Sequence, residues 1–262
     1  MKKIIVLTKR KDAIAANLVR SLDRELSGYR VSVLIETGAR SSLKKKLLAQ
    51  IKNIKKHGLI WIPYRLYLAI KGIFFKEENA SQAEDVSPFD LLTQEGIDVR
   101  YVTNYHDEAL INELKAEGCA LGVVFGTGIL SPLVFEFPDS GMINIHQGMI
   151  RYYRGQPPGF WELYNDETEV GMTVHCVSSD LDGGDIVYQE ALPIQSTDDV
   201  SSLQTKLDEC VVNRLGRVVN DYLSGLIEKR KVNLQEGKVY FKPTIRQVWE
   251  LEKRLKERRC NG

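Results

Sequence analysis

The stretch KKIIVLTKRKDAIAANLVRSLDRELSGYRVSVLI, residues 2–35, determines the fold class. It begins with an apolar run, residues 2–7, of the kind that forms a strand buried on both faces of a parallel sheet. Apolar residues then recur at helical spacing, at Ile14, Leu18, Leu22 and Leu26. Gly28 follows them and ends the predicted helix. A second apolar run, residues 31–35, completes a strand-helix-strand unit. This order predicts an α/β protein with an open, mostly parallel, doubly wound sheet.

The turn after the first predicted strand is basic and contains no glycine. It reads Thr8-Lys9-Arg10-Lys11, so the glycine fingerprint of dinucleotide-binding proteins is absent and neither NAD nor FAD is expected. A basic turn at this position fits either a bound phosphate or a solvated loop. The sequence leaves both interpretations open.

The rest of the chain continues the alternation of strands and helices. Strands are predicted over residues 97–102, 119–125, 142–145 and 172–177, and helices over 107–117, from Thr197 onward and over 245–259. Residues 232–234 and 238–241 flank a turn and predict a small hairpin. We therefore expect one catalytic-type domain over 1–225 and a C-terminal hairpin-plus-helix extension over 226–262.

Residues 41–87 interrupt this pattern as a helical insertion. Six lysines line its first part, and the apolar, aromatic run GLIWIPYRLYLAIKGIFF, residues 58–75, follows. Residues 41–76 could therefore contact an anionic membrane surface. They could equally cover the sheet or pack against a second subunit as a homodimer contact.

Composition excludes several classes of protein. The formal net charge is +1, which does not suggest a general role in binding polyanions. The four cysteines are scattered, which is typical of free thiols in a reducing cytoplasm, and no metal site is expected. No segment reaches the ~20 apolar residues that a membrane-spanning helix needs. These features predict a soluble, cytoplasmic protein.

Residues 141–185 carry a concentration of polar groups next to apolar runs. Asn144 and His146 lie two positions apart on a predicted strand, so they share one face of it. The loop 178–185 places carboxylates between glycines. Just upstream, Phe125-Gly126-Thr127-Gly128 ends a strand at the sheet edge where open α/β proteins bind ligands. We therefore expect the functional site here.

Four motifs in this region are jointly specific. They are Asn144-Ile145-His146, Tyr153-Arg154-Gly155, Gly171-Met172-Thr173-Val174-His175 and Leu181-Asp182-Gly183-Gly184-Asp185-Ile186. Together they resemble the folate-dependent formyltransferase family. That family includes glycinamide ribonucleotide formyltransferase, methionyl-tRNA formyltransferase and the nucleotide-sugar N-formyltransferases, and it implies a Rossmann-like formyltransferase-type sheet. The likeness is clear over residues 118–193 and architectural over 1–117.

The resemblance implies transfer of a formyl group from 10-formyltetrahydrofolate, as cosubstrate, to an amine. It makes Asn144, His146 and Asp182 the catalytic set. Amine attack creates a tetrahedral oxyanion, which the imidazolium of His146 and the amide of Asn144 could stabilise, while Asp182 relays the proton. His175 either orients Asp182 or is a structural core residue. The residues expected to bind the folate are Phe125, Gly126, Thr127, Gly128, Arg154, Gly155, His175 and Gly183.

The acceptor is less constrained by the sequence. Arg151 stands where the family usually has a proline, which adds a cation beside Arg154 and suits an anionic acceptor. The tail is too short for the barrel domain with which methionyl-tRNA formyltransferases hold tRNA, so no nucleic acid is expected. We favour a nucleotide-linked amino sugar destined for a surface polysaccharide.

Three alternatives remain open. The chain could formylate glycinamide ribonucleotide or another small amine. It could hydrolyse formyltetrahydrofolate, with water as the acceptor. In a different class, it could be a catalytically silent binding or scaffold protein.

Overall fold

The computed structural model of the chain describes residues 1–38, 86–155 and 157–261. Their centre is a seven-stranded sheet in the order β3-β2-β1-β4-β5-β7-β8. The strands are β1 (Lys2–Thr8), β2 (Tyr29–Glu36), β3 (Asp98–Val102), β4 (Cys119–Phe125), β5 (Met142–His146), β7 (Glu169–Cys176) and β8 (Ile186–Pro193). β1 to β5 run parallel, whereas β7 is antiparallel to both of its neighbours, β5 and β8. The predicted open, mostly parallel sheet is confirmed.

Helices cover both faces of this sheet. They are α1 (Ala13–Glu25), α2 (Pro88–Gln94), α3 (Glu108–Glu117), α4 (Pro132–Phe135), α5 (Phe160–Tyr164), α6 (Val200–Leu223) and α7 (Ile245–Asn261). α1, α2 and α6 pack on one face, and α3 and α4 pack on the other. Because successive residues of a strand face these two apolar layers in turn, β4 is buried throughout and β1 is buried from Ile4 onward.

The helix ends follow from local chemistry. Asp12 caps α1, since its carboxylate accepts the backbone N–H of Ala15 at 3.0 Å. Asp199 and Ser202 form a reciprocal capping box at the start of α6. The sequence predicts this helix from Thr197 onward, and it begins three residues later, at Val200, with Asp199 as its N-cap. None of the described helices is both long enough and apolar enough to cross a membrane.

The predicted C-terminal hairpin is wrong. Residues 232–234 form no strand, and β9 (Lys238–Tyr240) instead pairs in parallel with β6 (Tyr153–Gly155) to make a separate two-stranded sheet. The Tyr153 and Tyr240 rings stack at 5.2 Å, which favours this distant partner over the adjacent chain.

The C-terminal segment also shares a core with the rest of the chain. Val248, Leu251 and Leu255 of α7 pack in one apolar cluster with residues of α5 and α6. Strand β8 and the short helices α2 and α4 were not predicted, whereas the turn 156–161 predicts the start of a helix, and α5 begins there at Phe160. The insertion expected over 41–87, including the membrane or subunit contact through 41–76, lies outside the described residues, apart from its last two positions.

Candidate active site

The backbone pairing of β5 with β7 brings Asn144 and His175 together. They are partners in the antiparallel register, and Nδ2 of Asn144 lies 3.1 Å from Nε2 of His175. Nδ1 of His175 lies 2.9 Å from the Cys176 carbonyl oxygen, which can only accept, so Nδ1 carries the hydrogen and Nε2 accepts from Asn144. This contact fixes the Asn144 amide and leaves its second N–H and its oxygen available to a ligand.

His175 is a neutral, orienting residue in this arrangement. Burial lowers the pKa of His175 to about 4, with the nearby His146 acting in the same direction. Its Nε2 lies 3.8 Å from Oδ1 of Asp182. This is no ion pair, because a neutral imidazole carries no charge to attract the carboxylate. His175 therefore holds Asn144 rather than Asp182.

His146 faces an oxygen atom with each ring nitrogen. Its Nε2 donates to the Tyr153 carbonyl oxygen at 2.8 Å, and Nδ1 lies 3.5 Å from Oδ2 of Asp182. The first of these contacts is a hydrogen bond, whereas the second is a longer approach of a ring nitrogen to a carboxylate oxygen. Because Nε2 is engaged with the backbone and Nδ1 faces Asp182, the Asn144 amide is the freer of the two predicted oxyanion donors.

Asp182 completes the cluster from the loop after β7. Its backbone adopts the left-handed region, with φ +49°, which aspartate tolerates better than most side chains. Oδ2 accepts the backbone N–H of Gly155 at 3.0 Å. The predicted catalytic residues Asn144, His146 and Asp182 thus converge, although they come from a strand and a distant loop.

Gly155 is required at its position by close packing. Its φ is +91°, and a Cβ there would lie 2.1 Å from the Tyr240 carbonyl oxygen. Pairing of β6 with β9 therefore depends on this glycine, and the same pairing directs its N–H to Asp182. Its expected contact with folate remains a prediction.

The turn 125–128 lies beside this cluster at the end of β4. Val124 pairs with Asn144, so Phe125, the last residue of β4, lies one position beyond this pair. Gly126 has φ +70°, and the hydroxyl of Thr127 donates to the carbonyl oxygen of Gly128 at 2.9 Å. Gly183 forms the turn that carries Asp182, donating its N–H to the Asp180 carbonyl oxygen at 3.1 Å. The folate-binding roles of these residues also remain predictions.

Two of the three cations in the basic turn after β1, Lys9 and Arg10, are paired with acidic side chains. Lys9 forms an ion pair with Glu36 at 2.5 Å, and Arg10 donates two hydrogen bonds to the Asp208 carboxylate, at 2.9 and 3.2 Å. The Arg10 guanidinium also lies over the Phe125 ring, at 4.5 Å. Of the two interpretations of this turn, a free phosphate-binding pair of Lys9 and Arg10 is therefore disfavoured.

Asp208 links this turn to the site through Gln147, which the sequence analysis did not single out. Nε2 of Gln147 donates to Oδ1 of Asp208 at 2.8 Å. Asp208 is buried on α6, far along the chain from both of its partners. Sequence carries no signal for such a contact, because an aspartate within a helix is most often solvated.

A small recess opens beside His146. Its volume is about 10 Å³, and it is lined among others by Gln147, Arg154, Glu162 and Tyr240. A space of this size holds about one water-sized group. The recess can therefore hold one small functional group of a substrate, but not a whole substrate.

Two side chains of opposite charge line this recess. Arg154 is 8% exposed and donates through Nη2 to the Leu234 carbonyl oxygen at 3.1 Å, while its Nε has no hydrogen-bond partner within the described ranges. Glu162 is 3% exposed, and burial raises the pKa of its carboxyl to about 7. Sequence analysis missed Glu162, since a glutamate next to two aromatic residues in a short helix gives no functional pattern.

Arg151, the predicted departure from the family pattern, lies outside the recess. Its guanidinium pairs with Glu236 in the C-terminal loop. Both side chains are exposed, and the expected extra cation is neutralised by this pairing. In the described part of the chain, no group of three or more His, Cys, Asp or Glu side chains is arranged to hold a metal ion.

Comparison with known proteins gives a consistent picture. The family model described as "Formyl transferase" matches residues 75–219, more than half of the chain. Methionyl-tRNA formyltransferase of Azobacteroides pseudotrichonymphae is 31% identical over 150 residues, which is 56% of this chain and 46% of that protein. The chain thus spans about half the length of the curated relatives it matches.

Solved structures resemble the fold. Glycinamide ribonucleotide transformylase 1 from Symbiobacterium toebii superposes with a TM-score of 0.60 at 16% identity, covering 89% of this chain and 95% of its own. The N-formyltransferase of Helicobacter canadensis, in complex with folinic acid and dTDP-3-aminofucose, has a TM-score of 0.60 at 15% identity, covering 92% of this chain and 71% of its own. At these identities the likeness concerns the fold alone.

Proposed function

Since the chain belongs to the formyl transferase family, we propose that it transfers the formyl group of 10-formyltetrahydrofolate to the amine of a small acceptor. The observation that carries this proposal is the convergence of Asn144, His146 and Asp182, with Asn144 oriented by a neutral His175 and Asp182 held by the Gly155 N–H. A scaffold protein would have no use for this combination of a partly buried carboxylate and two buried imidazoles.

The geometry suits each step of the reaction. The acceptor nitrogen attacks the formyl carbon, and the carbonyl oxygen gains negative charge in the tetrahedral intermediate. The N–H of Asn144 that His175 leaves free can donate to that oxygen. Asp182, with His146 at 3.5 Å, can take the proton from the attacking nitrogen and return it to the departing folate nitrogen. The products are tetrahydrofolate and the formamide of the acceptor.

We favour a nucleotide-linked amino sugar as the acceptor. A neighbour of the same fold binds dTDP-3-aminofucose together with folinic acid, which supports this class. Methionyl-tRNA is the second candidate, because the name of the sequence relative points to it. Glycinamide ribonucleotide, and hydrolysis of the formyl donor by water, remain the further alternatives.

A mass-spectrometric acceptor screen tests the proposal. The purified chain and 10-formyltetrahydrofolate are incubated with UDP-, GDP- and dTDP-linked amino sugars, glycinamide ribonucleotide or methionyl-tRNA. We expect one formyl group to be added to a nucleotide-linked amino sugar. Asp182→Asn should lower the rate by about 100-fold or more, whereas Asp180→Asn, an exposed carboxylate in the same loop, should retain it.

The same screen can contradict the proposal. Formylation of none of these amines would refute it, and formate release without any amine would identify a hydrolase instead. An unchanged rate in Asp182→Asn would refute the proton-relay role while leaving the transfer reaction in place.

A further inference from the structure

The recess beside His146 presents hydrogen-bond acceptors to a space that holds one small group. We propose that it binds the amino group of the acceptor through the Gln147 side-chain oxygen and the Glu162 carboxylate, and that Glu162 takes the proton which this group loses before it attacks. The inference rests on the proposed function and adds two residues to it.

The orientation of Gln147 is fixed from outside the recess. Both oxygens of Asp208 accept hydrogen bonds from Arg10, and a carboxylate cannot donate, so the Gln147 atom that lies 2.8 Å from Asp208 must be its nitrogen. The amide oxygen then points away from Asp208, and no described residue donates to it. Gln147 therefore offers an acceptor to the recess it lines.

Glu162 is a carboxylate without a cationic partner. Among the described residues it forms no ion pair, and the groups that donate to its carboxyl are the backbone N–H groups of Gly159 and of Glu162 itself. These contacts cap α5 and do not compensate for burying a charge. An amino group seated in the recess would supply the missing donor.

The other charged and titratable groups around Glu162 favour loss of the amine proton. Arg154 and His146 line the same recess, with the rings of Tyr153 and Tyr240, and Glu167 is the neighbouring carboxylate. A guanidinium beside an amine disfavours the ammonium form. Near neutral pH, a carboxyl that titrates at about 7 is matched to the task of receiving that proton.

The proton balance is simple. The ammonium group gives one proton to the Glu162 carboxylate, so the acceptor becomes a neutral amine and Glu162 a carboxylic acid. The amine then attacks the formyl carbon, and Asp182 handles the second proton as described above. Glu162 returns its proton to water after the formylated product leaves.

The test compares Glu162→Gln with the wild type from pH 5.5 to 9, using the amine that the acceptor screen identifies. Glutamine keeps an oxygen for the helix cap but takes up no proton. We expect kcat/KM at pH 7.5 to fall about 100-fold. The wild-type decrease in kcat/KM below about pH 7, where the carboxyl is protonated, should disappear from the profile. Gln147→Leu should raise the KM for the amine.

Three controls make the outcome decisive. The dissociation constant of folinic acid, measured by calorimetry, should stay within about two-fold in both variants, because neither residue is assigned to the folate. Glu169→Gln, an exposed carboxylate at the start of β7 that lies outside the recess, should keep the rate and the acidic limb. Circular dichroism establishes that each variant is folded.

The outcomes separate the two levels of the proposal. A wild-type chain that neither binds folinic acid nor formylates any amine would remove the proposed function, and this inference with it. A wild-type chain that does both, with a Glu162→Gln variant that keeps its rate and pH profile, would overturn this inference alone.

Discussion

Replacing Glu162 by glutamine should make the protein more stable at alkaline pH. The carboxyl of an unfolded chain titrates near 4.5, whereas burial raises the pKa of Glu162 to about 7 in the folded protein. Between these values the folded state binds more protons than the unfolded state, so the stability of the wild type falls as the pH rises through this window and stays low above it. The difference corresponds to about 3 kcal/mol of unfolding free energy.

The residue is 3% exposed, so solvent screening does not reduce this figure much. Glutamine carries no charge at any pH, so Glu162→Gln should lack the slope. Its gain over the wild type should be about 3 kcal/mol larger at pH 8 than at pH 4.5.

Urea denaturation of both proteins at pH 4.5, 6 and 8 measures this difference directly. The comparison between pH values cancels any change in helix capping, because that change is present at each pH. A difference between variant and wild type that does not grow with pH would refute the reasoning, since it would mean that the carboxyl is solvated or paired. If Glu162→Gln is more stable but less active than the wild type, Glu162 lowers the free energy of unfolding and serves function.

Three further predictions concern the rest of the site. Gly155→Ala should separate β9 from β6, because its Cβ would lie 2.1 Å from the Tyr240 carbonyl oxygen. We expect the rate of formyl transfer to fall by more than the fraction of folded protein, which thermal melts measure. The pKa of His175 lies at about 4 in the folded state against 6.5 in the unfolded state, so acid from pH 6.5 to 4 should cost the wild type about 3 kcal/mol, and His175→Gln should lack this loss in pH-dependent denaturation. Asp208→Asn leaves the partly buried Arg10 with Asp12 as its remaining carboxylate, and chemical denaturation should show a loss of about 2 kcal/mol. An unchanged midpoint would contradict the idea that the Arg10–Asp208 pair is structurally important.

Much of the fold was predictable because its signals are local. The apolar runs of β1, β2 and β4 and the helical spacing in α1 each lie within one element, and parallel order follows from their alternation. The four motifs between Asn144 and Ile186 likewise predicted the family that the family model confirms. Asn144, His146 and Asp182 come together because β5 pairs with β7 and the loop after β7 carries Asp182. The sequence predicts both strands and the loop, but not their pairing.

The remainder depended on contacts between distant parts of the chain. β9 pairs with β6 rather than with the adjacent segment because its aromatic side chain finds partners there, which no local pattern indicates. Gln147 acquires its orientation from Asp208 on α6, and Glu162 is buried beside a recess whose other lining residues come from several separate segments of the chain. Such polar groups resemble solvated surface residues until the tertiary structure places them.

The pairing of β6 with β9 also bears on the order in which the molecule is made. A ribosome delivers residues 153–155 well before residues 238–240, and domains tend to fold as the chain emerges. Until the later segment arrives, Gly155 has no strand to hold its N–H against Asp182. A nascent chain can therefore form its central sheet early, but the carboxylate at the heart of its site is fixed only when the last strand is in place. Synthesis itself thus separates folding of the sheet from assembly of the site.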